Sequence, residues 1–213
     1  MLLNINMKIA GLVKQSFIDY PGKMACVIFT QGCNFRCGYC HNPSLVLPKL
    51  FVHNQLIDES DVLKYLDGRR DWLEGVVITG GEPTIHGDLP DFVRKVRQMG
   101  YCIKLDSNGT NPDVIEKLLS EKLLDFIAMD IKSNPDAKSY SQVIGKDATL
   151  IMPNVWRSIK LIQNSGIGYQ FRTTVIPHIH PDGITDDIIR FLEYDSNFVR
   201  QEYRDGDTVA KNI

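Results

Sequence analysis

Short apolar segments recur along this chain at a regular interval, and that interval constrains the fold more than any other feature of the sequence. Three of them begin at Val76, Tyr101 and Phe126. The stretches between them place apolar residues about 3.6 positions apart, as amphipathic helices do, for example between Leu89 and Met99. Strands and helices that alternate in this way form parallel sheets, because each crossover between neighbouring strands is right-handed. We predict six strands, at Ala25–Thr30, Val76–Thr79, Tyr101–Ser107, Phe126–Ile131, Tyr169–Ile176 and Asn197–Glu202.

Helix ends are indicated by asparagine, proline and glycine. Asn111 precedes Pro112, the order typical of an N-cap and a first helical residue. Asn154 is predicted to cap the helix that carries Trp156, and Gly166 lies where that helix would end. The fold class is therefore α/β, although periodicity alone does not distinguish an open doubly wound sheet from a partial barrel. Because no linker or low-complexity segment is present, we expect one domain over residues 1–213, with its core at about 20–205.

The composition narrows the class of protein. Hydrophobic residues make up 43% and charged residues 23% of the chain, as in ordinary globular proteins. Lys and Arg total 24 and Asp and Glu 26, without a run of like charge. This balance argues against a nucleic-acid partner, because phosphate contacts need clustered basic residues. No signal-peptide pattern and no apolar segment of membrane-spanning length is present, so we expect a cytoplasmic protein without a membrane partner.

Chemistry-bearing residues follow the predicted strands at the points where the strands end. Residues 31–40 follow the first strand, residues 80–83 the second and residues 107–109 the third. Asp130 and Lys132 end the fourth, and the period-two repeat of a strand puts both side chains on one face. Polar side chains inside a barrel need partners, so either a ligand or an internal ion pair is expected there. Because ligand sites of parallel sheets lie at the carboxyl ends of the strands, the sequence predicts one shared site.

Three of the five cysteines, Cys33, Cys37 and Cys40, lie in the segment that follows the first strand. With this spacing a loop can wrap around one 4Fe–4S cluster, each thiolate binding one iron. Three protein ligands leave the fourth iron open to a chelating substrate or cofactor. Gly32 and Gly38 let the backbone bend tightly around an inorganic core. The segment is therefore a candidate site for a cluster with one open iron.

Two other metal sites compete with this interpretation. A structural zinc ion would use His41 as its fourth ligand, but adjacent Cys40 and His41 reach one tetrahedral ion with difficulty. An electron-carrying cluster would need a fourth cysteine, either Cys26 or Cys102. Both lie in predicted apolar strands, where a cysteine acts as a small buried hydrophobe.

The cysteine segment resembles the signature of the radical S-adenosylmethionine (SAM) superfamily. The flanking segments 19–23, 29–33 and 40–43 resemble those of glycyl-radical-enzyme activases. Among these, the chain is most similar to the anaerobic ribonucleoside-triphosphate reductase activating proteins. The likeness extends from about Gly11 to about Gly206. It implies a partial (β/α)6 barrel of the radical SAM type.

The resemblance also implies roles for the residues at the strand ends. Residues 79–83 resemble the motif that receives the amino group of SAM. Asp106 and Ser107 match strand-end residues that lie near SAM in activases. Lys132 matches a lysine that contacts the SAM carboxylate, and a monovalent cation is implied near Asp106 and Asp130.

Tyr39 occupies the aromatic position that the family places against the adenine, and Arg172 is placed to contact SAM or the partner. One departure concerns the last strand, where some activases carry a SAM-contacting histidine and residues 201–204 have none. His178 and His180, after the fifth strand, are expected to be surface residues. The implied cluster ligands are Cys33, Cys37 and Cys40, and the implied cofactor-binding residues are Tyr39, Cys40, His41, Gly80, Gly81, Glu82, Asp106, Ser107, Asp130, Lys132 and Arg172.

The implied activity is that of a radical SAM oxidoreductase. The reduced cluster passes one electron to SAM, which is cleaved to methionine and a 5′-deoxyadenosyl radical. In an activase this radical removes a glycine Cα hydrogen from a partner enzyme, here expected to be anaerobic ribonucleotide reductase, with flavodoxin or ferredoxin as electron donor. No catalytic side chain is needed beyond the cluster and SAM. The alternatives are a radical SAM enzyme for a small molecule, such as a deazapurine-forming synthase, and a non-enzymatic iron–sulfur or zinc module.

Overall fold

Seven strands form one sheet in the computed structural model of this protein, which describes residues 7–213. They are β1 (Ile9–Ser16), β2 (Ala25–Thr30), β3 (Gly75–Gly80), β4 (Cys102–Ser107), β5 (Phe126–Asp130), β6 (Gly168–Val175) and β7 (Phe198–Glu202). The strands are hydrogen-bonded in sequence order, with β1 antiparallel to β2 and all later neighbours parallel. The six predicted strands are β2 to β7, each correct to within one residue at either end. The partial six-unit barrel is therefore confirmed, with one additional strand in front of it.

The crossovers between the parallel strands contain helices, as the apolar periodicity predicted. The helices are α1 (Pro43–Val46), α2 (Glu59–Asp67), α3 (Leu89–Gln98), α4 (Pro112–Ser120), α5 (Ala137–Ile144), α6 (Met152–Gln163) and α7 (Ile184–Phe191). Asn111 precedes α4 as predicted. The predicted cap at Asn154 is wrong, because α6 begins two residues earlier with Pro153 in its first turn. The Asn154 side chain instead donates a hydrogen bond to the Thr110 carbonyl at 3.1 Å, which joins α6 to the end of β4.

The helices cover one face of the parallel strands and bury the larger part of the core. On this face Ile78 and Leu105 pack against Phe92 and Val96 of α3, and all four are at most 1% exposed. Each fully buried side chain of this kind stabilises the fold by roughly 1.5–3 kcal/mol. The opposite face contributes a smaller apolar cluster and also carries polar groups.

The opposite face, called here the inner face, changes from apolar to polar along the strands. Near the amino ends Val27 and Tyr20 pack in a small buried cluster. The Tyr20 ring belongs to the turn between β1 and β2 and lies 6.1 Å from the ring of Phe126. The same face carries Asp106 and Asp130 at the carboxyl ends of β4 and β5. Side chains alternate between the two faces of a strand, so residues an even number of positions apart share a face. This spacing gathers polar groups on the inner face at one end of the barrel.

The segment after β7 folds back onto residues 31–40, which we call the cysteine loop. The Val209 N–H donates to the Cys40 carbonyl at 2.9 Å, and the Ala210 N–H donates to the Gly38 carbonyl at 2.8 Å. The Val209 side chain is fully buried in a cluster with Val46 of α1. The cysteine loop is thus held by hydrogen bonds from a segment that is distant from it in sequence.

None of the helices within residues 7–213 combines the length and the apolar character that a membrane crossing requires.

We predict that Val209→Asp lowers the free energy of unfolding by about 2–4 kcal/mol, because it buries a carboxylate without a partner beside the cysteine loop. The matched control is Ala210→Asp, one residue along at an exposed position, where we expect a change of less than about 0.5 kcal/mol. Urea denaturation of both variants measures the difference. Equal stability of the two variants would contradict the packing described for this segment.

Candidate functional site

One pocket at the carboxyl ends of β2 to β6 is lined by every residue that the sequence analysis proposed for the site. It brings together the cysteine loop, the end of β3 and the strand ends of β4, β5 and β6. Further lining residues were not predicted as site residues, namely Phe35, Asn42, Val46, Thr79, Asn108 and Thr174. The pocket is therefore a single cavity in which the proposed cluster ligands and the proposed cofactor contacts face each other.

Backbone hydrogen bonds fix the path of the cysteine loop. The Gly32 N–H donates to the Leu45 carbonyl, and the Arg36 N–H donates to the Ile144 carbonyl, both at 2.8 Å. The Arg36 guanidinium donates back to the Cys33 carbonyl at 2.7 Å, across the first turn of the loop. Phe35, between the first two cysteines, is 1% exposed and anchors the loop in the core. The thiols are therefore held in place by protein contacts.

The three thiols fit a cluster better than a single ion. Cys33, Cys37 and Cys40 line the pocket and are free of disulfide bonds. Within residues 7–213, no three His, Cys, Asp or Glu side chains converge on one point as a single metal ion requires. Cys26 and Cys102 lie away from the pocket, Cys26 in the helix-covered core and Cys102 beside the apolar cluster of the inner face. Three thiols that line one cavity are the ligand set that a 4Fe–4S cluster with one open iron would use.

Burial makes two of these thiols, Cys33 and Cys37, hard to ionise by themselves. It raises the pKa of Cys33 to about 12 and the pKa of Cys37 to about 11, and the positive charge of Lys132 only partly offsets this rise. A thiol becomes a metal ligand as the thiolate, and a bound cation supplies the charge that favours that form. These thiols therefore suit a buried, positively charged metal group.

Two consecutive glycines press the end of β3 against the cysteine loop. The Gly81 N–H donates to the Thr30 carbonyl at 2.9 Å, and the Glu82 N–H donates to the Gly32 carbonyl at 2.8 Å. A Cβ atom on Gly81 would lie 1.9 Å from the Gly32 carbonyl oxygen, and Gly80 has a φ of 121°. Only glycine allows this approach and this backbone conformation.

Glu82 joins this turn to the end of β4. Its carboxylate accepts hydrogen bonds from the Thr84 N–H at 3.1 Å and the Thr84 hydroxyl at 2.5 Å. It also accepts from the Ser107 hydroxyl at 2.8 Å and the Asn108 N–H at 2.7 Å. Burial raises the pKa of Glu82, and these hydrogen bonds to the charged form oppose the rise. Glu82 lines the pocket, but its oxygen atoms already hold two strand ends together.

Charged side chains from three neighbouring strands meet at the pocket. Arg172 donates from Nε to Asp130 Oδ1 at 2.9 Å, and its Nη1 lies 3.4 Å from Asp106 Oδ2. Lys132 Nζ lies 3.0 Å from Asp130 Oδ2. Lys104 Nζ lies 2.5 Å from Asp106 Oδ1. The internal ion pairs named above as the alternative to a ligand are present, and all of their residues except Lys104 line the cavity that a ligand would enter.

These ion pairs keep the groups charged. Burial alone would raise the pKa of Asp130, but Arg172 and Lys132 hold it below its usual range. Burial would lower the pKa of Lys132, but Asp130 raises it well above its ordinary value. Burial would likewise lower the pKa of Arg172, but Asp130 and Asp106 raise it above its ordinary value. The pocket therefore presents fixed charges at neutral pH.

The implied monovalent cation is the one group that this geometry does not support. Both oxygens of Asp106 and both oxygens of Asp130 already face donors on Lys104, Arg172 or Lys132. Three positive side chains surround two carboxylates, so a further cation would be repelled.

The aromatic ring beside the cysteines contacts this charged group. Lys132 Nζ lies 5.8 Å from the centroid of the Tyr39 ring, within the range of a cation–π contact. His41 also lines the pocket, but its Nε2 hydrogen-bonds to the Arg204 carbonyl at 2.8 Å and its ring stacks on Tyr203 at 5.7 Å. The imidazole is thus engaged by the segment after β7.

The expectation of a surface residue is wrong for His180, which is 9% exposed, whereas His178 is exposed. His180 Nδ1 accepts from the Ile176 N–H at 3.0 Å, and Nε2 donates to the Lys132 carbonyl at 2.9 Å. Burial lowers the pKa of His180, which favours the neutral ring that this pair of bonds requires. His180 thereby fixes the backbone that carries Lys132.

Asparagine side chains link the cysteine loop to the end of β4. Asn34 donates to the Thr110 hydroxyl at 2.7 Å and accepts from the Asn108 side chain at 2.8 Å. The sequence analysis did not propose Asn34 or Asn108 as site residues. The sequence did contain a signal for Asn108, because the Asn108-Gly109 pair directly follows β4, at one of the strand ends where the other site residues lie.

Comparison with known proteins places this arrangement in a family. Residues 27–193 match the family described as the Radical SAM superfamily. A protein of Methanocaldococcus jannaschii named as a glycyl-radical enzyme activating enzyme is 30% identical over 200 residues, 93% of this chain and 81% of the relative. The pyruvate formate-lyase-activating enzyme of Clostridium pasteurianum is 26% identical over 175 residues, 80% of this chain and 69% of that enzyme.

Solved structures share the fold. Streptococcus suis SuiB bound to S-adenosylmethionine superposes with a TM-score of 0.63 at 17% identity, over 87% of this chain and 42% of SuiB. The anSMEcpe structure with bound AdoMet has a TM-score of 0.61 at 15% identity, over 82% of this chain and 50% of that chain. This chain therefore spans half or less of the length of these two proteins.

We predict that Gly81→Ala destabilises the fold by about 2–4 kcal/mol, because the new methyl group would displace the backbone of the cysteine loop. Gly87→Ala is the matched control, since a Cβ atom there meets nothing within 4 Å and the backbone conformation is ordinary. Urea denaturation measures both changes in the free energy of unfolding. If Gly81→Ala were as stable as Gly87→Ala, the close contact between the end of β3 and Gly32 would be disproved.

Proposed function

Because this chain belongs to the radical SAM superfamily, we propose that it activates a glycyl-radical enzyme, with anaerobic ribonucleotide reductase as the partner. The observation that carries the activase proposal is the similarity to an activating enzyme over 93% of the chain. The choice of ribonucleotide reductase rests on the likeness of the chain as a whole, which among activases is greatest to the activating proteins of that enzyme.

The superfamily uses a 4Fe–4S cluster together with SAM. Cys33, Cys37 and Cys40 would hold three irons, and the remaining iron would be open to SAM in the cavity that these cysteines share with the strand ends. When bound, the cluster and SAM supply the one-electron chemistry that removes a hydrogen atom from the substrate. The protein contributes the placement of these groups.

We assign the binding of SAM to the charged and aromatic residues of the pocket. Lys132 and Arg172 would attract the SAM carboxylate, because three positive side chains face two carboxylates there. Gly80 and Gly81 would admit the amino group next to the backbone, and the negative charge of Glu82 would favour that group electrostatically. The hydrogen bonds of Glu82 would at the same time keep the surrounding turn in place.

The adenine would lie against Tyr39, whose ring is already oriented by Lys132. No general base is required, because the reaction removes a hydrogen atom rather than a proton. This agrees with the pocket, in which Asp130 is engaged by basic side chains and Glu82 by hydrogen-bond donors.

A protein substrate fits the open form of the barrel. The outer edge of β7 pairs with no other strand within residues 7–213, so the sheet does not close around the pocket. A loop that carries the target glycine would approach through this opening. A closed cavity would instead suit a small molecule, since closure excludes water from the reaction.

We predict that Cys33→Ala, Cys37→Ala and Cys40→Ala each abolish a cluster of about four irons and four sulfides after anaerobic reconstitution. Cys26→Ala is the control, because that thiol is buried in the helix-covered core and away from the pocket. Iron and sulfide analysis with visible absorption measures the content. A stoichiometric zinc ion with no iron–sulfur absorption would instead support the metal-module alternative.

We predict that the reconstituted protein, mixed anaerobically with SAM, reduced flavodoxin or ferredoxin and anaerobic ribonucleotide reductase, produces a glycyl radical on the reductase. Electron paramagnetic resonance detects this radical as a doublet. A reductase variant with the target glycine changed to alanine is the control and should give no doublet. Another glycyl-radical enzyme as the better substrate would change the partner but keep the activase function. Steady turnover of a free small molecule without any protein partner would disprove the activase function itself.

A further inference from the structure

We propose that Lys104 is a fixed internal cation that takes the place of a bound monovalent metal ion beside Asp106 and Asp130. The proposal goes beyond the activase function, because it concerns which ions the site needs. Its relevance to cofactor binding rests on the proposed SAM site. Its first test uses the protein without cluster or SAM. The proposal about Lys104 can therefore be disproved independently of the proposed activase function.

The position of Lys104 is unusual for a lysine. It lies on β4 two residues before Asp106, so both side chains project from the inner face. Its register partners on the neighbouring strands are Val77 and Phe126, both apolar. Lys104 is only 4% exposed. A lysine at such a place is buried below the pocket and does not reach the solvent.

Burial of an ammonium group costs several kcal/mol unless a carboxylate compensates it. Among residues 7–213, the acidic partner of Lys104 is Asp106, whose Oδ1 lies 2.5 Å from Nζ. Asp106 lines the pocket and Lys104 does not. Lys104 therefore contacts the pocket only through Asp106, and the two charges hold each other in place.

The remaining carboxylate oxygens are also occupied. Asp106 Oδ2 lies 3.4 Å from Arg172 Nη1 and 3.4 Å from the Thr79 hydroxyl. Asp130 Oδ1 accepts from Arg172 Nε at 2.9 Å, and Asp130 Oδ2 lies 3.0 Å from Lys132 Nζ. A monovalent metal ion binds through several oxygen atoms, and here each one faces a donor. The positive charge that two adjacent carboxylates require is thus supplied by covalently attached groups.

Arg172 and Lys132 are placed differently from Lys104. Both line the pocket and would contact a bound ligand, so their charges are shared with it. Lys104 lies behind Asp106 and keeps its partner when a ligand binds. Of the three basic residues, it is therefore the one that replaces a structural ion.

The first test compares thermal unfolding midpoints of the protein without cluster or SAM in potassium, sodium and choline chloride at equal ionic strength. We expect the same midpoint for the natural protein in all three salts, because Lys104 already supplies the positive charge. Choline is the reference cation, since it is too large to enter a site for a metal ion. Lys104→Met keeps the length of the side chain but removes its charge. Its midpoint should be lower, and potassium or sodium should raise it relative to choline.

The control variant is Lys95→Met, which removes a lysine from a surface ion pair with Glu59. It should show no difference between the salts. Stabilisation of the natural protein by potassium or sodium over choline would overturn the proposal, and so would a Lys104→Met midpoint that does not depend on the cation. If Lys104→Met does not fold, sodium NMR line broadening of the natural protein decides. Saturable binding of sodium by the natural protein would contradict the proposal, and the absence of such binding would support it.

The second test measures SAM binding to the reconstituted protein. Lys104→Met should bind SAM about tenfold more weakly in choline chloride than in potassium chloride, the effect of losing one charge-assisted contact. The natural protein should bind equally in both salts. Equal binding by both proteins in both salts would remove any role of Lys104 in preparing the site. If the natural protein binds no SAM at all, the proposed function fails while the result of the first test stands.

Discussion

The close backbone contact between Gly81 and Gly32 is the constraint on which the site depends. It joins the end of β3 to the start of the cysteine loop at a distance that no side chain tolerates. The Glu82 N–H completes the contact by donating to the Gly32 carbonyl, while the Glu82 carboxylate reaches across to Ser107 and Asn108. Three consecutive strand ends are therefore connected through one turn. A shift of that turn would move the thiols and the polar residues of β4 together.

Charge decides what this assembled pocket accepts. Lys104, Lys132 and Arg172 face Asp106 and Asp130, so this group of ion pairs carries one more positive than negative charge. Such an excess favours anionic groups, which include thiolates bound to a cluster and the carboxylate of an amino acid. The apolar layer below, with Tyr20 against Phe126, strengthens the effect because it keeps water away from the charges.

The sequence predicted what depends on local pattern and missed what depends on distant contacts. Strands β2 to β7 were found because parallel strands are apolar and evenly spaced, but β1 has exposed residues and irregular pairing with β2. Lys104 was overlooked because a strand lysine usually faces solvent, although its spacing from Asp106 was a signal. The roles of His180 and Val209 arise from contacts with residues far away in the sequence, Lys132 and Cys40. Periodicity carries no information about such pairs.

The cysteine loop is joined to the rest of the fold by backbone contacts that do not involve its thiols. Contacts from α1, α5 and the segment after β7 hold the loop through the backbone of Gly32, Arg36, Gly38 and Cys40. These bonds engage only backbone groups, so the three thiol side chains are left to line the pocket. A bound cluster would supply the positive charge that favours the thiolates, and so offset the burial that raises the pKa of Cys33 to about 12 and the pKa of Cys37 to about 11. A loop that is held by several backbone contacts has less conformational entropy to lose when it binds a ligand, which leaves more of the binding energy for orienting the group at the open iron.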